Sequence, residues 1–120
     1  MGVENNNAIV ATTWSKEEVD RISRFIESLP GEDGKMFVVG PPLINNKTTV
    51  VMLPDGSKKG WAESEACDEL RDRFVVELEK SNYGDGSNPW DFVEVGFGEF
   101  GQKVLRGNCK NMYGDEEYAG

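Results

Sequence analysis

The sequence contains no histidine, and this absence excludes several kinds of active site at once. Histidine is the commonest general base, it activates Ser and Cys nucleophiles, and it is a usual ligand of zinc. The only cysteines are Cys67 and Cys109, which form no Cys-x-x-Cys pair. In a reducing compartment such lone cysteines are more often buried apolar residues than disulfide partners. We therefore expect no catalytic residue, no cofactor and no resident metal ion.

Long hydrophobic runs are also missing. No stretch approaches the roughly 20 apolar residues that a membrane span needs. The segment from Met1 to Asn7 has neither the basic start nor the apolar run of a signal peptide. These absences lead us to expect a cytoplasmic protein that does not bind membranes.

Basic residues are scarce in one region. Residues 61–100 hold eleven Asp and Glu but only three Lys and Arg, a net charge of −8 out of −9 for the whole protein. The other 80 residues are close to neutral. Concentrated negative charge repels nucleic acid and anionic membranes. We therefore expect a partner of this region to present a basic protein surface.

The residues that are present indicate a single α+β domain. A chain of 120 residues with 10% aromatic residues can bury one hydrophobic core. The patterns predict the order α-β-β-α-β-β, an antiparallel sheet of about four strands with two helices on one face. We assign residues 12–107 to this domain. Residues 1–11, which are polar and Asn-rich, are expected to form a flexible arm, and residues 108–120 a polar tail.

The first predicted helix has the clearest local signal. Ser15 is a good N-cap, and Glu18 three residues later completes a capping box. Trp14 before the cap and Val19 after it match a hydrophobic staple. The helix is predicted to end at Pro30-Gly31.

The second predicted helix begins between Ala62 and Glu65 and runs to about Lys80. At 100° per residue, one arc of about 120° holds Ala66, Cys67, Leu70, Phe74 and Leu78. Four carboxylates fall within about 60° on the almost opposite side. These are Glu65, Asp68, Asp72 and Glu79, which we call the acidic stripe. Val75 and Val76 flank the stripe, and Asp85 follows in a glycine-rich loop.

The acidic stripe has three interpretations. The first is an ordinary solvated helix exterior, although such exteriors usually mix Lys among the Glu. The second is a docking site for a basic protein, in which attraction speeds the encounter and valines make the desolvated contacts. The third is a divalent metal site, but a dedicated Ca²⁺ site needs about six to eight converging oxygens. We expect no such metal site.

The docking interpretation predicts what kind of partner binds. Many basic surfaces belong to proteins that recognise rows of phosphates, and a row of carboxylates can act as a nucleic-acid mimic there. We therefore predict a protein-interaction module that binds such a protein but no nucleic acid directly. The predicted partner-binding residues are Glu65, Asp68, Asp72, Val75, Val76, Glu79 and Asp85.

An alternative function is a small-ligand binder or minor enzyme that uses the glycine-rich loops and aromatic residues. Gly96–Gly101 matches the pattern G-x-G-x-x-G, but a strand rather than a helix is predicted after it. We therefore interpret this segment as a hairpin turn. The aromatic candidates are Tyr83, Trp90, Phe97 and Phe100. Aromatic residues at strand spacing more often belong to the core.

Two sequence segments carry a resemblance. They are Pro-Asp-Gly-Ser-Lys-Lys-Gly-Trp, at residues 54–61, and Asp-Gly-Ser-Asn-Pro-Trp-Asp-Phe-Val-Glu-Val, at residues 85–95. With the acidic helix between them, they resemble small uncharacterised proteins encoded in tailed-phage genomes, over about residues 50–100. The resemblance implies a phage or prophage accessory protein that acts in the host cytoplasm, for example as an inhibitor of host defence. It implies no activity and no site residue.

Overall fold

A computed structural model describes residues 5–56, 62–99 and 101–109 of the chain. Within these residues, five strands and two helices follow one another in the order β-α-β-β-α-β-β. The strands are β1 (Asn5–Thr13), β2 (Phe37–Val39), β3 (Thr48–Met52), β4 (Trp90–Gly98) and β5 (Gly101–Gly107). The helices are α1 (Lys16–Glu27) and α2 (Ala62–Glu79). Neither helix has the length and apolar content that crossing a membrane requires.

The strands form one sheet in the order β2-β3-β1-β4-β5, and all neighbouring strands are antiparallel. Elements β1 to β4 follow the β-α-β-β-α-β motif, in which β3 lies between β1 and β2 while β1 lies between β3 and β4. Strand β5 adds an edge strand to this motif. The predicted α+β class is confirmed. The sheet has five strands rather than about four because the prediction missed β1.

Strand β1 corrects the prediction of a flexible arm, which was wrong for residues 5–11. This strand lies at the centre of the sheet, paired with β3 on one side and β4 on the other. Ile9 and Ala11 are fully buried. The asparagines before Ala8 have low strand propensity, but the end of β4 pairs with them and supplies partners for their backbone. Residues 1–4 lie outside the described residues.

Both helices cover the same face of the sheet, as predicted. Side chains of that face, among them Ile9, Val50 and Phe92, share one buried cluster with Ile22 of α1 and Leu70 of α2. Three rings tie the layers together. Phe37 of β2 meets Phe74 of α2 edge to face, with centroids 5.1 Å apart, and Phe25 of α1 also contacts both rings. Such pairs contribute about 0.5–1.5 kcal/mol beyond their burial.

The start of α1 confirms one half of the predicted capping box and corrects the other. The Glu18 backbone N–H donates to Ser15 Oγ at 3.3 Å. The Ser15 N–H, however, donates to Thr13 Oγ1 at 3.2 Å. The Glu18 carboxylate instead accepts from Trp90 Nε1 at 2.9 Å. A tertiary partner from β4 has displaced the local one.

The polar C-terminal tail was predicted to begin at residue 108, but Asn108 is bonded to the sheet. Asn108 is held at the end of the sheet, where its Nδ2 donates to Trp90 O at 2.7 Å. Its Oδ1 accepts from the Phe92 N–H at 2.9 Å. These two bonds attach Asn108 to β4 and extend the ordered domain past Gly107. Residues 110–120 lie outside the described residues.

Candidate protein-docking site on the second helix

Helix α2 determines where the acidic stripe lies. No Gly or Pro interrupts residues 62–79, and Leu70, Phe74 and Leu78 recur every four residues. These three side chains are buried against the sheet and α1. The opposite side of the helix therefore faces solvent. All four stripe residues, Glu65, Asp68, Asp72 and Glu79, are exposed.

Two of the four stripe carboxylates have cationic partners. Asp68 Oδ1 accepts from Arg71 Nη2 at 2.7 Å. Asp72 Oδ1 lies 2.9 Å from Nη1 of Arg106, which belongs to β5. The described residues provide no ion pair for Glu65 or Glu79. Among the described residues, cations thus contact the middle of the stripe and not its two ends.

Glu69 is a further exposed carboxylate on the outer side of α2 that the sequence reasoning left out of the stripe. At 100° per residue it lies about 40° beyond Glu65, next to Val76. No ion pair to it occurs among the described residues. Its exposure follows from helical spacing, so a wider arc would have included it.

A buried arginine lies beneath the stripe. Arg71 is only 3% exposed. Its Nη1 lies 3.8 Å from Asp55 Oδ1, and its Nε lies 4.0 Å from Glu94 Oε2. Neither of these two nitrogens makes a hydrogen bond within the described structure. We call Arg71, Asp55, Asp68 and Glu94 the Arg71 cluster.

Arg106 connects this cluster to the stripe from the side of β5. Its Nε donates to Glu94 Oε1 at 2.5 Å, while its Nη1 contacts Asp72. Burial by itself would lower the pKa of Arg106, but the hydrogen bonds and charges of Glu94 and Asp72 outweigh burial and raise it. Arg106 therefore stays a cation and fixes Asp72 in place.

The prediction that Val75 contacts a partner protein is wrong. Val75 is 6% exposed and belongs to the hydrophobic core, so it cannot contact a partner on the surface. The buried side of α2 is wider than the predicted apolar arc of about 120°, because Arg71 and Val75, which lie outside that arc, are buried as well. Val76, in contrast, is 54% exposed and stays a candidate contact residue.

Asp85 is exposed in the loop after α2 and organises that loop. Its Oδ1 accepts from the Ser87 N–H at 3.0 Å and from Ser87 Oγ at 2.7 Å. The backbone and side-chain hydrogen bonds from Ser87 lower the pKa of Asp85. Asp85 is therefore a charged turn residue, and its bonds do not join it to the stripe.

The residues of the ligand-binding alternative lie in different places. Trp90 is fully buried, whereas Tyr83 lies exposed in the loop after α2. Phe97 lies on the sheet face away from the helices, and Phe100 is outside the described residues. Gly98 pairs with Gly101 and β5 follows directly, which confirms the predicted hairpin. The described residues hold no group of three or more Cys, Asp or Glu arranged to bind a metal ion.

Cys67 lies beside the Arg71 cluster as a protonated thiol. Burial raises its pKa to about 11, with a further contribution from a hydrogen bond and the charge of Asp55. Its Sγ lies 3.8 Å from Met36 Sδ. A thiol in this state is a poor nucleophile, since the thiolate is the reactive form.

Comparison of the chain with protein-family models, curated proteins and solved structures gave no significant match. The resemblance of residues 50–100 to tailed-phage proteins therefore stays a prediction.

Proposed function

We propose that the protein is an interaction module that docks the outer side of α2 on a basic surface of another protein, one built to bind nucleic acid. One observation carries the proposal. All four stripe carboxylates are exposed on one helix, and the described residues supply cations to only two of them. Glu69 adds another exposed carboxylate. Uncompensated charge of this kind attracts a basic partner over a distance of about 8–10 Å at ordinary salt.

The rigidity of α2 supports a docking role. At 1.5 Å per residue, Glu65 and Glu79 lie about 21 Å apart along the helix axis. The helix is fixed by Leu70, Phe74 and Leu78, which are buried in the core. Carboxylates on a fixed rod lose little conformational freedom when they meet a row of Lys and Arg. This preorganisation lowers the entropic cost of binding.

An apolar contact lies among the charges. Val76 is 54% exposed on the outer side of α2, between Asp72 and Glu79 in the sequence. Exposed charge pairs contribute mainly to the rate of association, whereas a desolvated apolar contact slows dissociation. Val76 therefore takes the role predicted for both valines, while Val75 supports the helix from below.

The structure determines which carboxylates an experiment should reverse. Asp68 and Asp72 contact Arg71 and Arg106, so a lysine at either position would place a cation against an arginine. The better variant replaces the three exposed glutamates, Glu65→Lys, Glu69→Lys and Glu79→Lys. The matched control carries Glu17→Lys, Asp20→Lys and Glu27→Lys, three exposed acids of α1. Both triple variants change the net charge equally.

The experiment is an affinity capture from a cell lysate at low and at high salt, with melting temperatures measured for all three proteins. We expect the α2 triple variant to lose the captured partner, the α1 triple variant to keep it, and duplex DNA to release it from the wild type. High salt should weaken capture, because it screens the attraction. Equal loss of capture in both triple variants would mean that the net charge, and not the position of the carboxylates on α2, attracts the partner. Unchanged capture by the α2 variant would reject it.

A further inference from the structure

The sheet face turned away from both helices, which we call the open face, is apolar in its middle. One row of paired valines crosses four strands, namely Val38, Val51, Val10 and Val93. A second row joins Ala8, Val95 and Val104 across β1, β4 and β5. These residues alternate along their strands with the side chains that pack under the helices, so they point the other way.

The open face is exposed to solvent at its two edge strands, β2 and β5. Val38 on β2 is 49% exposed, and Val104 on β5 is 63% exposed. Polar residues border the valine rows. Thr12 and Thr49 share a hydroxyl hydrogen bond of 2.8 Å at one end, and Asn6 pairs with Phe97 at the other. An apolar centre within a polar rim is the usual anatomy of a protein interface.

Charge distinguishes the open face from the rest of the surface. Of the strand residues on this face that the structure describes, only Asp91 is charged. The protein carries a net charge of −9, and its outer helix carries the acidic stripe. A surface that buries apolar side chains without burying charge avoids the large desolvation cost that ionised groups impose.

We propose that the open face binds a second copy of this chain, which forms a face-to-face dimer of two sheets. A second copy suits this charge distribution, because each protomer contributes a face with one charge among its described strand residues, Asp91, and keeps its acidic helix on the outside. Sheets pack about 10 Å apart and each helix layer adds about 10 Å, so the two stripes lie on the order of 30 Å apart. That separation is several Debye lengths at physiological salt.

The area of the open face suits a dimer of modest affinity. Five strands about 4.8 Å apart, with about six residues each at 3.3 Å, present a face of roughly 500 Å². Two such faces bury about 1,000 Å², which lies at the lower end of specific interfaces. Because both patches are identical, a two-fold axis through the centre of the face closes the assembly at two copies.

The test is sedimentation equilibrium of the full chain from about 1 to about 500 µM, a range that covers dissociation constants of modest interfaces. Val38→Glu and Val104→Glu each place a charge on the open face, on opposite edge strands. Val76→Glu is the matched control, because it changes a similarly exposed valine on α2. We expect each open-face variant to raise the dimer dissociation constant at least about tenfold and the control to change it less than about twofold.

Three outcomes overturn the dimer. The first is a monomer over the whole concentration range. The second is equal weakening by Val76→Glu. The third is sensitivity to only one of Val38→Glu and Val104→Glu, which indicates pairing through one sheet edge instead. Raising the salt concentration should strengthen this dimer, because it screens repulsion between two acidic copies, whereas it weakens docking to a basic partner. Failure of the dimer and failure of the proposed function are therefore distinguishable.

Discussion

Two clusters of charged residues anchor the helices, and they differ in how completely their groups are paired. In the first, which we call the Glu18 cluster, Glu18 Oε1 accepts from Trp90 Nε1, Arg21 Nη2 and Ser81 Oγ. Arg21 Nη2 also donates to Glu77 O at 2.8 Å. In the Arg71 cluster, three carboxylates surround one guanidinium, and two of its buried nitrogens have no hydrogen bond within the described structure.

The comparison separates acids that stabilise the fold from acids that can contact a partner. Glu18 is a structural carboxylate, because its hydrogen bonds join α1 to β4 and to Ser81 just beyond α2. The acids on the outer side of α2 that have no ion pair among the described residues, Glu65, Glu69 and Glu79, belong to neither cluster. They are therefore the carboxylates on which the proposed docking depends.

The largest effect should come from breaking the Arg71 cluster. Replacing Arg71→Ala removes the guanidinium that lies between Asp55, Asp68 and Glu94 and opens a cavity beneath α2. We expect a loss of about 3 kcal/mol in the free energy of unfolding, measured by urea denaturation. The control is Arg73→Ala, an exposed arginine whose guanidinium carbon lies 5.9 Å from the Phe25 ring centroid, and it should cost less than about 1 kcal/mol. Equal losses would show that the cluster contributes no special stability.

A smaller effect should come from breaking the Glu18 cluster, and it should depend on pH. Burial by itself raises the pKa of Glu18, but hydrogen bonds from Ser81, Arg21 and Trp90 outweigh it and hold the pKa below its ordinary value of 4.5. A lowered pKa in the folded state adds stability above pH 4.5, and that stability is lost as the pH falls through the folded value. Glu18→Gln should therefore cost about 1–2 kcal/mol at pH 7.

The measurement is the difference in unfolding free energy between the wild type and Glu18→Gln as the pH is lowered from 7 to 3. The difference should stay constant down to about pH 5.5 and shrink below the ordinary pKa of 4.5. Glu17→Gln, one residue away and exposed, should change stability by less than about 0.5 kcal/mol at every pH. A difference that grows on acidification would mean that the carboxylate is not the stabilising group.

The smallest effect should separate a paired from an unpaired carboxylate of the stripe. Asp72→Asn weakens the contact with Arg106. Because the Asp72 side chain is 67% exposed, this change should lower the free energy of unfolding by only about 0.5 kcal/mol. Glu79→Gln removes a charge that has no cation among the described residues, and no measurable change in melting temperature is expected. A larger loss for Glu79→Gln than for Asp72→Asn would contradict this division of the stripe.

Local signals in the sequence were sufficient for much of the fold. Both helices begin and end close to their predicted limits, because apolar spacing, the Ser15 cap and Pro30-Gly31 act over a few residues. Asn45 and Asn46 lie between β2 and β3 with positive φ, of 60° and 59°, a conformation that asparagine tolerates well. The exposure of the acidic stripe followed from the same spacing.

Features that depend on distant partners were not predictable from local signals. Strand β1 was missed because its polar first half is held by pairing with β4, about 90 residues later in the chain. The burial of Val75 and Arg71 on the inner side of α2 is likewise a tertiary feature, and acids from two other segments, Asp55 and Glu94, lie within 4.0 Å of the Arg71 guanidinium.

The sequence by itself determined where the helices lie, which residues of α2 are acidic on the outside and that no histidine side chain is available, because composition and helical period need no tertiary contact. Only the tertiary structure decided that Arg106 pairs with Asp72 and that a row of valines lies on the sheet face turned away from the helices. The physical reason is that charge compensation and sheet order arise from pairs of residues far apart in the chain. Such pairs form only when the backbone brings them together.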